Sequence, residues 1–514
     1  MSRVSLRAAA VGDSVLWGQG QRTADKYVFR AIAALRAEGI VIDLPFARFH
    51  AQSGAQVALN DASGTAVLGG PPALNSAKPQ NRSEISGEVP SPQPTVLEQF
   101  RRERDAMAAG APPIALVFAD GGANDMDFAE AALPRMENDR VAYRRLREDF
   151  EGGDVESGIA RLHDYFVVRL PQVQSDVEAL LRSMRGTDFV LYTGYYDALG
   201  PDSYPLLRRA LRGGASLVAL QLFAPLAIAA LLLVHVAERR KFDQLTAQLG
   251  WFHLRLHALI AEAAWRALRN GVFVRFVDPR FGPENRMGTA QALVAGPDEG
   301  FDRDVRDRRL DHFDRHDPGA AGRASVRFAH LAHPNAAGHR RYADRLIEET
   351  RRTVSTSLRD LMSDTGTASA RGLVDLMART DAPPTGLRSA VLLARVDVVH
   401  IQIRYDDLVL STSDPDPYFS CRGVRLRVGT REFAGRAMGT QRTFEVIALL
   451  DGIELGTLLG KGMTLIAANH HQRDHGRVTI RVNGAALSRR ATRSDDRAMQ
   501  REGERASLHF DMGA

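Results

Sequence analysis

From Val4 to about Thr350, short apolar runs alternate with stretches of helical periodicity. The runs Leu6–Val11, Ile40–Leu44, Ile114–Phe118, Phe189–Thr193 and Val272–Val277 each have the length of a strand buried in a parallel sheet. Between them, a helix over Lys26–Ala37 turns Ile32 and Leu35 inward, and a longer one covers Ile159–Met184. A third, over Phe252–Asn270, puts Leu256, Leu259, Ile260, Ala263 and Ala267 on one face and stops at Asn270-Gly271. Strands alternating with helices predict a three-layer α/β/α domain over residues 1–351.

Two insertions interrupt this pattern, at about 60–94 and 197–250. Asn60–Pro94 is rich in Gly, Ser, Pro and Asn without periodicity, which predicts a long surface loop at the end of the second strand. The second insertion carries Ala215–Ala237, free of formal charge and flanked by Arg208, Arg209 and Arg212 on one side and Arg239, Arg240 and Lys241 on the other. Its length would span a bilayer. A single crossing, however, would put the strands at 189–193 and 272–277 on opposite membrane faces, although both are expected to belong to one sheet. The segment is therefore expected to be a helix buried against the domain, or a lid or interface-inserting helix, rather than a single-pass span.

After about Thr350 the texture changes. A helical, Pro-containing linker (352–386) ends at Asp381-Ala-Pro-Pro-Thr-Gly386. Beyond it the period is two: Val399, Ile401, Ile403 and Tyr405 alternate with His400, Gln402 and Arg404, and Val478, Ile480 and Val482 with Arg477, Thr479 and Arg481. Val424, Leu426 and Val428 repeat the pattern, and Asn483-Gly484 is a hairpin turn signal. These predict an antiparallel β domain, a sandwich, over 387–490, followed by a charged and poorly ordered tail at 491–514.

Composition narrows the functional classes. The 514 residues are long enough for two or three domains and a large core. A net charge of +5 is too mild to hold a polyanion by itself, and no basic stripe with interleaved aromatics points to nucleic acid. The single Cys421 excludes an internal disulfide and a Cys-based zinc cluster. Neither a P-loop nor a complete Gly-rich dinucleotide signature is present, and no carboxylate spacing identifies a metal site. His470, His471 and His475 in a polar stretch, and Asp406, Asp407, Asp414 and Asp416 among turn formers, are expected to be solvated loops. The N-terminal stretch lacks the basic start and apolar run of a secretory signal. The expected location is cytoplasmic, or exported without a cleavable signal, with possible association at a membrane surface.

Four segments carry candidate chemistry. The first strand runs into Gly12-Asp13-Ser14, where parallel sheets place reacting groups, although Gly-Asp-Ser is equally a helix N-cap sequence. The third strand is followed by Asp120-Gly-Gly122-Ala-Asn124-Asp125, whose Asn amide can donate to a developing oxyanion. Gly54, in His50-Ala-Gln-Ser-Gly54-Ala55, follows the second strand. His333-Pro-Asn335 precedes a helix through Arg340–Thr350, a place from which an imidazole can serve a serine on another segment as general base.

Ser14, Gly54, Asn124 and His333, in this order, resemble the four signature positions of the SGNH, or GDSL-type, serine hydrolases. Trp17-Gly-Gln-Gly20, Gly87-Glu-Val-Pro90 and Gly194-Tyr-Tyr196 are similar to a bacterial branch of that superfamily. The resemblance covers about Val4 to Thr350 and implies a flavodoxin-like fold and a metal-independent esterase without cofactor. Ser14 would be the nucleophile and His333 the general base. The N–H groups of Ser14 and Gly54 and the Asn124 amide would form the oxyanion hole.

One position departs from the pattern. His330 stands where the superfamily carries the Asp that orients its catalytic His. An orienting acid from Asp311, Asp314 or Asp317, a Ser–His dyad held by backbone, and a weak or inactive site used for binding are the open outcomes. Asp13 is expected to cap the turn and Asp125 to brace the third block. The basic flanks of 215–237 favour a lipid ester as substrate and peripheral membrane contact through that segment, with carbohydrate O-acetyl esters as the enzymatic alternative.

Overall fold

The computed structural model describes residues 4–58, 87–88, 94–125 except 108 and 110, 155–212, 239–269, 272–296, five positions between 304 and 311, 330–355, and strands between 395 and 511 together with residue 458. Of the expected linker at 352–386, residues 352–355 continue the helix that begins at Ala336; the rest of it and segment 215–237 lie outside the described residues, as does most of the 60–94 loop. The chain forms two compact units. The first comprises Met1–Gly250 and Val272–Arg352, the second Trp251–Gly271 and Thr353–Ala514.

The first unit is built on five parallel strands: β1 (Val4–Val11), β2 (Ile40–Asp43), β3 (Leu116–Ala119), β4 (Phe189–Thr193) and β5 (Val274–Val277), in spatial order β2-β1-β3-β4-β5. Every residue of β3 and β4 is buried, as expected of strands covered on both faces, so they read as unbroken apolar runs. The helices are α1 (Ser14–Trp17), α2 (Tyr27–Ala37), α3 (Val96–Asp105), α4 (Val155–Ser183), α5 (Ser203–Arg212), α6 (Arg239–Arg269) and α7 (Ala336–Ser355). A capping box starts α3: Thr95 Oγ1 accepts from Glu98 N, and Glu98 Oε2 from Thr95 N. Strand order reverses between β1 and β3, where an open parallel sheet leaves a crevice at its carboxyl edge. The segments after β1, β2 and β3 all emerge at that edge.

The helix expected at Phe252–Asn270 begins earlier, at Arg239, because Phe242, Leu245 and Leu249 extend the same apolar spacing. Its residues from Trp251 group with the second unit rather than with the α/β layers in which they were expected. Arg255 Nη1 lies 3.3 Å from the His400 ring nitrogens.

The second unit is antiparallel. One path runs β15-β14-β6-β11-β10-β9-β12-β17-β16, with β6 at Arg395–Tyr405, β9 at Arg425–Val428, β10 at Arg431–Gly439, β11 at Thr443–Glu454, β12 at Met463–Ala468, β14 at Gly476–Val482, β15 at Ala485–Ala486, β16 at Arg490–Arg493 and β17 at Arg505–Asp511. The chain changes ladder within β10: Arg431–Ala434 pair with β9, and Gly435–Gly439 with β11. Ser420–Cys421 (β8) also pairs with β10, so Cys421 sits in a strand. Val409–Leu410 (β7) and His470–His471 (β13) form a separate pair. His475 and the four Asp positions of the expected loops lie outside the described residues.

The tail expected to be poorly ordered is in part a strand. β17 (Arg505–Asp511) pairs along its whole length but one residue with β12, Met463↔Phe510 to Ala468↔Arg505, and β16 (Arg490–Arg493) pairs with β17. Its charge concealed the signal. Ala506, Leu508 and Phe510 alternate with Ser507 and His509, the same period-two pattern as in the strands before it.

Among the described residues no helix is long and apolar enough to cross a membrane.

Candidate active site

Ser14 is the first residue of α1, directly after β1. Asp13 caps this one-turn helix, its Oδ1 accepting from Val15 N at 2.9 Å. The turn is held from behind by Gln99 of α3: Gly12 N donates to Gln99 Oε1 at 2.8 Å, and Gln99 Nε2 donates to Gly12 O at 3.1 Å. Asp13 N donates to Asp120 Oδ1 at 2.7 Å, tying the first block to the third. Only glycine fits at position 12, because a Cβ there would overlap Asp120 Oδ1 and stand 2.9 Å from Leu16 Cβ.

The second block returns to the same edge. His50 N donates to Ala10 O at 2.7 Å and Gln52 N to Gly12 O at 2.9 Å, extending the pairing with β1 until Gly54 turns the chain at φ +77°. Asn124 joins the blocks: its Nδ2 donates to Ala55 O at 3.0 Å and, at 3.4 Å, to Asp13 Oδ2. Among the described residues the N–H groups of Ser14 and Gly54 donate to no protein acceptor. Both Asp125 oxygens accept from Val57 N, at 2.9 and 3.0 Å, bracing the second block against the third.

His333 arrives from the far end of the unit. Its Nε2 lies 2.8 Å from Ser14 Oγ, and both side chains are buried. The loop is stitched by backbone: Ala295 N donates to His333 O at 2.8 Å, Ala332 N to Ala295 O at 3.1 Å, and His333 N to His330 O at 2.9 Å. Ala332 holds φ +64°, a left-handed conformation that costs a non-glycine residue on the order of 1 kcal/mol. Tyr196 Oη donates to its carbonyl at 2.7 Å. Asn335 then caps α7, its Oδ1 accepting from Ala337 N and Gly338 N at 3.0 Å.

All four candidate residues thus stand at one sheet edge. Of the candidate acids, Asp311 is exposed, and Asp314 and Asp317 lie outside the described residues. His330 is buried with Nε2 3.2 Å from Gly296 O.

The floor of the site is acidic and buried. Burial pushes the Asp13 carboxyl up to about 6, against the lowering hydrogen bonds from Tyr195 and Val15 N. Burial and the neighbouring Asp13 raise Asp120 well above the carboxylate range. Asp125 is pushed up to about 8, again chiefly by burial. Tyr195 Oη donates to Asp13 Oδ2 at 2.6 Å; burial and that carboxylate hold its phenol protonated.

Sequence reasoning missed Asp120, Tyr195, Gln99 and Lys26 as parts of the site. Position carried a signal for two of them, since Asp120 opens the Asn124 block and Tyr195 lies in Gly194-Tyr-Tyr196. Among the described residues no group of three His, Cys, Asp or Glu side chains has the geometry to hold a metal ion. No family model, curated protein or solved structure matches the chain.

Proposed function

We propose that this protein is a serine ester hydrolase of the SGNH type, working through an acyl-Ser14 intermediate. The strand order 2-1-3-4-5 supports a flavodoxin-like core for it, and the change of ladder within β10 supports a sandwich for the second unit. The observation that carries the functional reading is the 2.8 Å approach of His333 Nε2 to Ser14 Oγ where the Gly54 and Asn124 blocks converge.

Ser14 Oγ attacks the ester carbonyl while its proton passes to His333 Nε2. The oxyanion takes hydrogen bonds from the N–H groups of Ser14 and Gly54. It also takes the Asn124 hydrogen now spent on the 3.4 Å contact to Asp13. Each such donor lowers the barrier by about 3 kcal/mol. Collapse of the tetrahedral adduct expels the alcohol, which takes the proton from His333; water, deprotonated by the same imidazole, then releases the acid. This chemistry calls for no metal or cofactor. The imidazole is oriented either by the backbone-stitched 292–296 and 330–335 loops, as a Ser–His dyad, or by Asp311, Asp314 or Asp317.

Lipid esters are the favoured substrate class, on the strength of the uncharged segment 215–237 and its basic flanks. Flotation with anionic liposomes should weaken when that segment is deleted, and a panel of nitrophenyl esters, phospholipids and acetylated sugars separates lipid from carbohydrate esters. A second reading, a binding scaffold without turnover, is favoured by His330 engaging Gly296 O where a carboxylate is expected. A fluorophosphonate probe decides between them: covalent labelling of the full chain that disappears in Ser14→Ala supports the hydrolase, and folded protein that does not label sinks it.

A further inference from the structure

A buried ion pair lies behind the nucleophile. Lys26 Nζ and Glu88 Oε1 are 3.8 Å apart, and each side chain is 1% exposed. The ammonium donates to Trp17 O at 2.5 Å, the last carbonyl of α1, and to Gly18 O, the residue that caps it, at 3.3 Å, and stands 3.9 Å from the centre of the Trp17 ring. Glu88 accepts from Gly20 N at 3.2 Å, and Gln19 Nε2 donates to Glu88 O at the same distance. The same turn closes on Ser14 itself: Gly18 N and Gln19 N both donate to Ser14 O at 3.1 Å. Lys26 is therefore one peptide turn from the backbone that carries Oγ.

A helix of four residues cannot hold itself in place. Its start is held by Asp13, Gln99 and Asp120; its end is held by Lys26. Gly18 takes the left-handed conformation at φ +71°, and a Cβ there would come within 2.8 Å of Lys26 Cγ and 3.0 Å of His339 Cε1. His339 is fully buried beside the ammonium and kept neutral by burial and by that charge. Lysine is rare in this chain, with four among 67 basic residues. Arginine's planar fork suits a carboxylate better than two carbonyls converging on one point, whereas an ammonium is a compact charge with three donors.

We propose that Lys26, neutralised by Glu88, is a positioning residue for Ser14: it clamps the carboxyl end of α1 and so sets the approach of Oγ to His333. The inference rests on Ser14 being the nucleophile. Misplacing a reacting atom by about 1 Å costs on the order of a hundredfold in rate.

The test is the Lys26→Met/Glu88→Gln double variant of the full chain, in which both charges go and neither is left buried alone. Its crystal structure and that of the wild type give the Ser14–His333 separation, and fluorophosphonate labelling gives the reactivity of Ser14. The expected result is a cooperative fold, an Oγ–Nε2 separation beyond about 3.5 Å, and labelling slowed roughly ten- to hundredfold. Glu88→Gln alone, which keeps the clamp, should leave the separation near 2.8 Å. A double variant that keeps both the wild-type separation and the wild-type labelling rate overturns the proposal. If the wild type does not label, the hydrolase reading fails, and the separation still decides whether Lys26 positions Ser14. Should the double variant not fold, Lys26→Arg, which keeps the charge but not the point contact, takes its place: a longer separation with slower labelling supports the clamp, and wild-type values of both overturn it.

Discussion

Tyr195 Oη donates to Asp13 Oδ2 across 2.6 Å, so a phenol from the strand-end segment after β4 favours the charged form of the residue beside Ser14. That hydrogen bond lowers a carboxyl which burial has raised to about 6. Tyr195→Phe removes the lowering contribution, and the Asp13 pKa must rise further. Ionised Asp13 caps α1 and holds the Asn124 amide, so the acid limb of the kcat/KM profile should move to higher pH in Tyr195→Phe. An unmoved limb would separate Asp13 from activity.

Asn124→Ala leaves the fold of the third block intact, because Asp125 supplies its bracing bonds to Val57. Turnover of a nitrophenyl ester should fall about 10²–10³-fold, with the loss in kcat rather than KM, as for removal of one oxyanion donor. A loss confined to KM would place Asn124 in substrate binding instead.

Asp125 gives a stability signature. Its folded pKa, about 8, lies above the ordinary value of 3.8, so the folded protein holds this proton more tightly than the unfolded chain. The group's contribution is complete below about pH 4 and is lost as pH rises through about 8. Asp125→Asn, which cannot ionise, should flatten that part of the decline in Tm between those limits. Thermal melts of both proteins across the window, with identical slopes, would refute the assignment.

Gly12→Ala tests the packing under Ser14. The added methyl meets Asp120 Oδ1 and Leu16 Cβ, neither of which can retreat without disturbing the cap of α1. Overpacking of this kind destabilises by about 1–3 kcal/mol, read as a lower urea midpoint with unchanged m-value. Labelling of Ser14 should fall with it.

The strands were legible because their residues are buried on both faces and show it as apolar runs: Phe189–Thr193 coincides with β4 residue for residue, and Ile40–Leu44 exceeds β2 by one. The four blocks were legible because each lies next to a strand or helix end in a short motif. Lys26–Glu88 and Gln99–Gly12 were not, since their partners are 62 and 87 residues apart in the chain and only the tertiary fold brings them together. For β17, the arginine and acidic residues before it masked an alternation of only seven residues.

That alternation makes a prediction of its own. Truncation after Glu504 deletes β17, the shared partner of β12 and β16. Native-state hydrogen exchange of the truncated chain should show lost protection in β12 and β9, whereas β1 and β3 keep theirs. Unchanged protection in β12 would mean that its pairing with β9 suffices.

Ser14 and His333 are separated by 319 residues. During synthesis at about 5–20 residues per second, the serine leaves the ribosome roughly 15–65 s before the imidazole exists to meet it. Until then the nascent chain carries an ordinary alcohol. On the proposed mechanism Ser14 becomes reactive only when the segment leading into α7 emerges and docks, so hydrolytic competence would arrive all at once and late, after the sheet that holds it can already have formed.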